Sequence, residues 1–387
     1  MTIIGMIVPS SNTVVEPTTA RMLAHRPDVT VVHTRIRVHT ITIEGSGAAF
    51  DAESMVSAAR LLADAGVDVI VWNGTAGSWL GVRYDNDICA AITAATGVPA
   101  TTSTLAIIAA CRAFGVTRLA VATPYTPDVV AAIAAEYATH GICVVSHAEW
   151  GLSDNRSFAD PPPAQVAELL AAAVGDSAPE AVALICTNVD GEAVAGQMEH
   201  LLGIPVLDSV AATLWWALEA SGGGTEIVGH ATLLRQASFR RGAMAIVDEL
   251  RRQLGCARVT LRVDHEELGL HVDTSVAEAL APGEPSMMHA GPVDQRSMQT
   301  VQWLLRHREV LVQNSFQSPP FPPSSLREVY GIAAQMLGPV EIGGEVTAWL
   351  SAHSRSERQW SAADVAAMDT AGKATAALIA GRDGEKR

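Results

Sequence analysis

The sequence predicts an α/β fold of two pseudo-symmetric halves with parallel sheets, followed by a separate α+β domain. Residues 1 to about 220 alternate short apolar runs with Ala-rich stretches of helical period, as strands in parallel sheets covered on both faces do. The order of these runs recurs. "IVPSSNT" (7–13) resembles "VATPYTP" (121–127), "VIVWNGT" (69–75) resembles "ALICTN" (183–188), and "TGVPATTSTLAIIAA" (96–110) resembles "LGIPVLDSVAATLWWA" (202–217). Offsets of roughly 105 to 115 in the same order indicate an internal duplication. At "SGGGTE" (221–226) the alternation stops, which marks a hinge or linker.

In chain order, strands are expected at 3–10, 29–36, 67–74, 118–124, 142–150 and 181–188. Amphipathic helices are expected at 52–66, 85–97, 128–141 and 163–175, where apolar residues return every three or four positions. The halves then cover about 1–115 and 116–222, and the second domain 223–387. In that domain a long helix is expected at 233–255, strands at 258–264, 309–315 and 345–354, and helices at 324–337 and 361–381.

Composition narrows the function classes. A formal net charge of −15 over 387 residues argues against nucleic acid or an anionic membrane as partner. No apolar run reaches the roughly 18 residues of a membrane span. The opening "MTIIGMIVPSSN" has no basic region before its strand, so no signal peptide is expected and the expected compartment is the cytoplasm. Cys89, Cys111, Cys143, Cys186 and Cys256 are scattered without a CxxC, and the histidines are dispersed. That pattern argues against a disulfide framework and predicts no metal. Only Lys373 and Lys386 are lysines, so the first 372 residues offer neither a pyridoxal Schiff base nor a Walker loop. No glycine-rich fingerprint follows the first strand. No cofactor is expected.

Candidate chemistry lies at the polar tips of the buried strands, where ligands of parallel α/β sheets bind. Ser10, Ser11, Asn12 and Thr13 follow the first strand, where hydroxyls, an amide and free N–H groups suit a carboxylate; ordinary helix capping explains the same residues. Tyr125 follows Pro124 at a strand end, and its hydroxyl is a candidate donor. Gly74, Thr75 and Ala76 let backbone amides approach an anion, although a tight turn has the same composition. Cys186, with Thr187 and Asn188 after it, stands at the corresponding place in the second half. Most free cysteines are inert packing residues. A strand-end cysteine that opens a helix, however, sits where N–H dipoles lower its pKa.

These motifs together resemble the Asp/Glu racemase superfamily, with maleate isomerases and arylmalonate decarboxylases as the nearest branches. The resemblance covers about residues 1–220. It implies two Rossmann-like halves around one active site and thiol chemistry on a small dicarboxylate without a cofactor. Carried over, it implies that Asn12, Tyr125 and Asn155 bind substrate carboxylates, that Thr75 and nearby N–H groups form an oxyanion pocket, and that Cys186 donates or accepts a proton. Racemases and isomerases of this group use two cysteines; the first-half position here falls in "WNGTAG", at Gly74 or, one residue earlier, Asn73. One thiol suits an arylmalonate-type decarboxylase. "PSSNT" and "DN" are more like the isomerase branch. A non-catalytic metabolite-binding protein is the alternative from another class.

The second domain resembles a GAF domain in its long entry helix, "RVTLRVD", "VYGIAAQMLGPVEIGGEVTAWLSAHS" and the closing helix. That resemblance implies a small-molecule ligand, with "FQSPPFPPSS" (316–325) looping over its pocket, or dimerisation through terminal helices; a homodimer is expected.

Overall fold

The structure, a computed structural model, describes residues 1–38, 40–42, 52–225, 227 and 230–384. The chain forms two compact units, Met1–Ser238 and Phe239–Arg387.

The first unit contains two parallel four-stranded sheets of the same order. One runs β2-β1-β3-β4, from β1 (Thr2–Pro9), β2 (Val29–Ile36), β3 (Val69–Trp72) and β4 (Ala100–Thr102). The other runs β6-β5-β7-β8, from β5 (Arg118–Thr123), β6 (Cys143–Glu149), β7 (Ala181–Leu184) and β8 (Val206–Asp208). Every residue of β3 and β7 is buried, which is why both read as unbroken apolar runs. The helices are α1 (Val15–Met22), α2 (Ala52–Ala63), α3 (Gly77–Leu80), α4 (Val82–Thr96), α5 (Ser103–Ala113), α6 (Pro127–Thr139), α7 (Pro163–Val174), α8 (Glu192–Leu202) and α9 (Ser209–Ser221).

Strand pairing relates the halves residue by residue. Ile7 of β1 pairs with Trp72, and the next residue, Asn73, donates its N–H to the Ile7 carbonyl at 2.9 Å. In the second half Ala122 pairs with Leu184, and Ile185 donates to the Ala122 carbonyl at 2.9 Å. Thr102 stands opposite Trp72 and Asp208 opposite Leu184. Each of these two caps the helix after it, accepting the N–H of Leu105 at 3.2 Å or of Ala211 at 2.8 Å. In this register Gly74 corresponds to Cys186 and Thr75 to Thr187, so of the two first-half positions left open by the sequence, Gly74 is the counterpart. Helices α5 and α9 join the halves, with Thr213 Oγ1 donating to Ser103 Oγ at 2.8 Å.

The units divide inside α10 (Thr232–Leu254) rather than at the glycine run. Leu233, Leu234 and Ala237 belong to the first core, whereas Phe239, Val247 and Leu250 belong to another. Glu226, the last residue of "SGGGTE", lies outside the described residues.

The second unit is an antiparallel sheet of order β10-β9-β13-β12-β11. Its strands are β9 (Arg258–Val263), β10 (Ala277–Leu280), β11 (Leu311–Gln313), β12 (Ala334–Ile342) and β13 (Glu345–Ser354). Its helices are α11 (Gln299–His307), α12 (Ser324–Glu328) and α13 (Ala362–Gly384). The helix expected over 324–337 is a correction. Only α12 forms, Gly331 turns the chain at φ +64°, and Ala334 begins β12. The apolar residues there fit a helical spacing, but Ala334 and Met336 enter one core and Leu337 another, which is strand alternation. Strand β10 and helix α11 carry no expectation from the sequence. Among the described residues no helix is long and apolar enough to cross a membrane.

Asp208 yields a stability prediction. Its Oδ1 caps α9, while Oδ2 has no partner among the described residues. Burial pushes the carboxyl up to about 7, with Asp190 and Glu192 adding to the rise and the Ala211 N–H opposing it. Because the folded pKa is raised, its contribution is fully present below the unfolded pKa near 4 and is lost as pH rises through about 7. Asp208→Asn keeps the cap without the charge. It is expected to stabilise the protein by on the order of 2 kcal/mol at pH 8 and by little at pH 4, read from denaturant midpoints. Equal gains at both pH values would contradict the assignment.

Candidate active site

The loops that leave β1, β3, β5 and β7 meet at one end of the two sheets, with a short 3-10 turn at Asn155–Ala159 beside them. Asn12 uses both ends of its amide. Oδ1 accepts the N–H groups of Val14 and Val15 at 2.9 and 3.0 Å, which is the capping role, and Nδ2 donates to the carbonyl and hydroxyl of Thr187 at 3.1 and 3.3 Å. The Thr187 hydroxyl in turn donates to the Asn73 carbonyl at 2.9 Å. Asn188 accepts the Thr13 N–H at 2.9 Å and donates to the Asn155 carbonyl at 2.5 Å. Asn155 donates to Ser11 Oγ at 2.7 Å, and Ser11 donates to the Val38 carbonyl at 2.7 Å. Ser11, Asn12, Asn155, Thr187 and Asn188 are thus brought together, and they hydrogen-bond one another across the junction of the halves.

Cys186 lies beside this chain. Its N–H donates to Ser209 Oγ at 3.1 Å, and Ser209 donates to the Leu184 carbonyl at 2.5 Å, so the serine fixes the backbone that carries the thiol. The Asn188 N–H points at the sulfur from 3.3 Å. The Tyr125 hydroxyl hydrogen-bonds to the thiol and lies 2.8 Å from Thr75 Oγ1. Through Tyr125, Thr75 of the first half and Cys186 of the second address the same point.

The acidity of the thiol differs from the sequence expectation. Burial pushes Cys186 up to about 12, outweighing the hydrogen bonds from Tyr125 and the Asn188 N–H, and Asp208 adds to the rise. Helix α8 begins only at Glu192, so no helix opens directly on the cysteine. Burial, followed by the neighbouring Cys186, likewise holds Tyr125 well above its ordinary value. Both groups are protonated at neutral pH.

The small residues of "GTAG" have a packing reason. A Cβ built on Gly74 falls 2.3 Å from Cε2 of the Trp72 ring, and one on Gly77 falls 2.4 Å from the Asp85 carboxyl carbon. Among the described residues, the N–H groups of Gly74, Thr75 and Ala76 donate to no protein acceptor. Trp79 and Phe158 pack edge-on against Tyr125 at 5.0 and 5.5 Å. No group of three or more metal-ligating side chains occurs among the described residues.

Two contributors, Ser209 and Arg35, carried no assignment from the sequence, and Asn73 entered it only as the other possible counterpart of Cys186. Ser209 occupies the same place in "VLDS" as Ser103 does in "ATTS", so the duplication itself was a signal for it. Arg35 gathers the carbonyls of Ser10 and Asn12 at 3.1 and 2.9 Å and pairs with Glu16 at 2.8 Å, bracing the first loop. The Asn73 side chain is fully buried, and neither its Oδ1 nor its Nδ2 has a partner among the described residues. A buried unsatisfied amide costs about 1–3 kcal/mol. Asn73→Leu, similar in size, is therefore expected to raise the unfolding free energy by about 1 kcal/mol; a clear fall in the thermal midpoint would show that the amide is satisfied.

Residues 4–234 match the family model "Arylmalonate decarboxylase", and residues 241–379 match "GAF domain". The arylmalonate decarboxylase of Bordetella bronchiseptica is 31% identical over 226 residues, 58% of this chain and 92% of that protein. The maleate isomerase of Nocardia farcinica (strain IFM 10152) is 28% identical over 246 residues, 61% of this chain and 96% of that protein. A liganded arylmalonate decarboxylase variant, with one glycine changed to cysteine and one cysteine to serine, superposes with a TM-score of 0.55 at 29% identity. It covers 60% of this chain and 98% of its own. The maleate isomerase of Pseudomonas putida S16 with maleate gives 0.56 at 26% identity, covering 60% and 97%. The chain belongs to the arylmalonate decarboxylase family of enzymes and carries a C-terminal GAF domain.

Proposed function

We propose that the first unit decarboxylates a small malonate-type diacid and that Cys186 delivers the proton. The observation that carries this reading is the residue equivalent to Cys186: it is Gly74, closed over by the Trp72 ring, so that one thiol serves the site. The retained carboxylate is received by the Thr75 and Tyr125 hydroxyls and the N–H groups of Thr75 and Ala76. Loss of CO2 leaves the electron pair of the broken C–C bond delocalised over that carboxylate as an enediolate. Neutral donors already in place for the developing charge contribute roughly 3 kcal/mol each. The Cys186 S–H then protonates the α-carbon, and the thiolate is reprotonated from solvent. A thiol held up to about 12 stays loaded for this step at neutral pH.

The same acidity disfavours the isomerase reading. Addition to maleate needs a thiolate, which at a pKa of about 12 is roughly 1 part in 10⁵ at pH 7. Asn12 and Asn155 remain the residues that favour it, so maleate belongs in the assay.

In D2O, a phenylmalonate is expected to release CO2 and to take up one deuterium at the α-carbon. Cys186→Ala is expected to lower turnover by 10²-fold or more, the usual weight of a positioned acid. For the native enzyme kcat/KM shows no limb from this thiol between about pH 6 and 10, and activity falls only as pH approaches about 12. Full activity in Cys186→Ala sinks the mechanism. Conversion of maleate to fumarate with a rising alkaline limb supports the isomerase. Ligand-dependent thermal stabilisation without turnover of either acid supports a binding protein.

A further inference from the structure

Against the loop that leaves β3 lies a carboxyl that the proposed chemistry does not use. Asp85, in the first turn of α4, is fully buried. Thr102 Oγ1 donates to its Oδ2, and Thr104 hydrogen-bonds to the carboxyl as well. Burial raises the group to about 7, the two threonines oppose the rise, and Glu136 of α6 adds to it. Cys89 of α4 and Tyr137 of α6 are the other titratable groups within its influence. No cation pairs with Asp85 among the described residues. A carboxyl kept in a dry site on hydroxyls alone is costly, so what it touches bears on why it is there.

It touches Gly77 directly and Ser78 through Thr104. A Cβ on Gly77 would fall 2.4 Å from the Asp85 carboxyl carbon, so the backbone of the loop rests on the carboxyl itself. Ser78 Oγ donates to Thr104 Oγ1 at 3.3 Å and lies 3.3 Å from the Tyr137 hydroxyl. The Ser78 N–H donates to the Thr75 carbonyl at 3.0 Å. That carbonyl and the Ala76 N–H belong to one planar trans peptide and point in opposite directions. Ser78 therefore aims the Ala76 N–H out of the turn. The second half repeats the contact, since a Cβ on Gly191 would fall 2.7 Å from Asp208 Oδ2. Asp208 is the counterpart of Thr102, the residue that donates to Asp85. In each half a loop glycine thus rests on a buried carboxyl, supplied by α4 in one and by β8 in the other.

We infer that Asp85 is a positioning residue for this loop: its carboxyl seats Gly77 and, through Thr104 and Ser78, fixes the direction of the Ala76 N–H that receives the substrate's charge. The inference rests on the decarboxylase reading, which gives that N–H its role. Asp85 acts through the loop and not on the substrate, so its loss misaims a donor without removing one. A donor aimed at developing charge matters most in the transition state. The loss is therefore felt in kcat more than in KM.

Steady-state kinetics of CO2 release from phenylmalonate by the full-length protein test it, at a pH one unit below the Asp85 value of about 7, where the carboxyl keeps its proton and asparagine is its neutral isostere. Asp85→Ala is expected to lower kcat by about tenfold or more while KM stays within about threefold. Asp85→Asn is expected to hold kcat within about threefold of the native value. Gly77→Ala, whose methyl meets the same carboxyl, is expected to lower kcat as Asp85→Ala does. Added to Asp85→Ala, which makes room for that methyl, it is expected to cost little more. Native kcat in a folded Asp85→Ala, equal losses in the alanine and asparagine variants, a loss confined to KM, or additive losses in the double variant would overturn the inference and leave the decarboxylase reading standing. Absence of phenylmalonate turnover by the native protein would overturn both. Should Asp85→Ala fail to fold, Thr104→Val decides, because it cuts the link to Ser78 and leaves Gly77 seated. It is expected to lower kcat and Thr104→Ser to restore it, and native kcat in Thr104→Val would overturn the inference.

Discussion

The hydroxyl of Thr187 governs the geometry of the first unit. It has one proton, and that proton goes to the Asn73 carbonyl, which leaves its lone pairs to receive the Asn12 amide. Three strand ends from two sheets are thereby tied at a single buried atom. The residues to which the proposed chemistry is assigned are direct chain neighbours of the tied ones. Cys186 precedes Thr187, and Gly74 and Thr75 follow Asn73, so their separation is set by covalent geometry on each side of one hydrogen bond. Such a bond contributes only about 1 kcal/mol net. Its weight lies in position: with neither partner open to water, the tips of the halves have one favourable register.

The duplication was legible in the sequence because parallel strands covered on both faces must be apolar throughout, and the first polar residue after such a run is a strand tip. That reasoning located Ser11, Asn12, Thr75, Tyr125, Cys186 and Asn188. What such a reading could not supply was which of these polar groups bond one another. Asn12 is at once a cap and a link between halves, and only the path of the chain past Thr187 reveals the second role. The acidity of Cys186 was misjudged for a related reason. A local dipole can be read from neighbouring residues, whereas burial depends on Tyr125, Trp79 and Phe158 arriving from distant parts of the chain.

The second unit was harder to read. Its strands were found where β-branched residues cluster, as in Arg258–Val263 and Glu345–Ser354. The helix expected at 324–337 runs into the first four residues of Ala334–Ile342 because alanine and leucine suit either conformation, and the register that separates Gln335 from Met336 exists only once β13 and β11 lie beside it. Single polar residues in an apolar strand, such as Arg262 or His353, look solvent-facing when read one at a time. Paired across strands, they form one continuous buried face.

The indole of Trp72 resting on Gly74 also constrains how this family member can change. A two-thiol site needs a side chain at position 74 and less bulk at position 72. A side chain at 74 under an unmoved indole is an overpacked contact, costing about 1–3 kcal/mol. A small residue at 72 above an unchanged glycine leaves a void, at about 3–5 kcal/mol for loss of a buried tryptophan. Each substitution is deleterious by itself and tolerable only beside the other. The two positions are therefore epistatic, and a lineage with this pair reaches a second cysteine through a double step or through an intermediate of reduced stability.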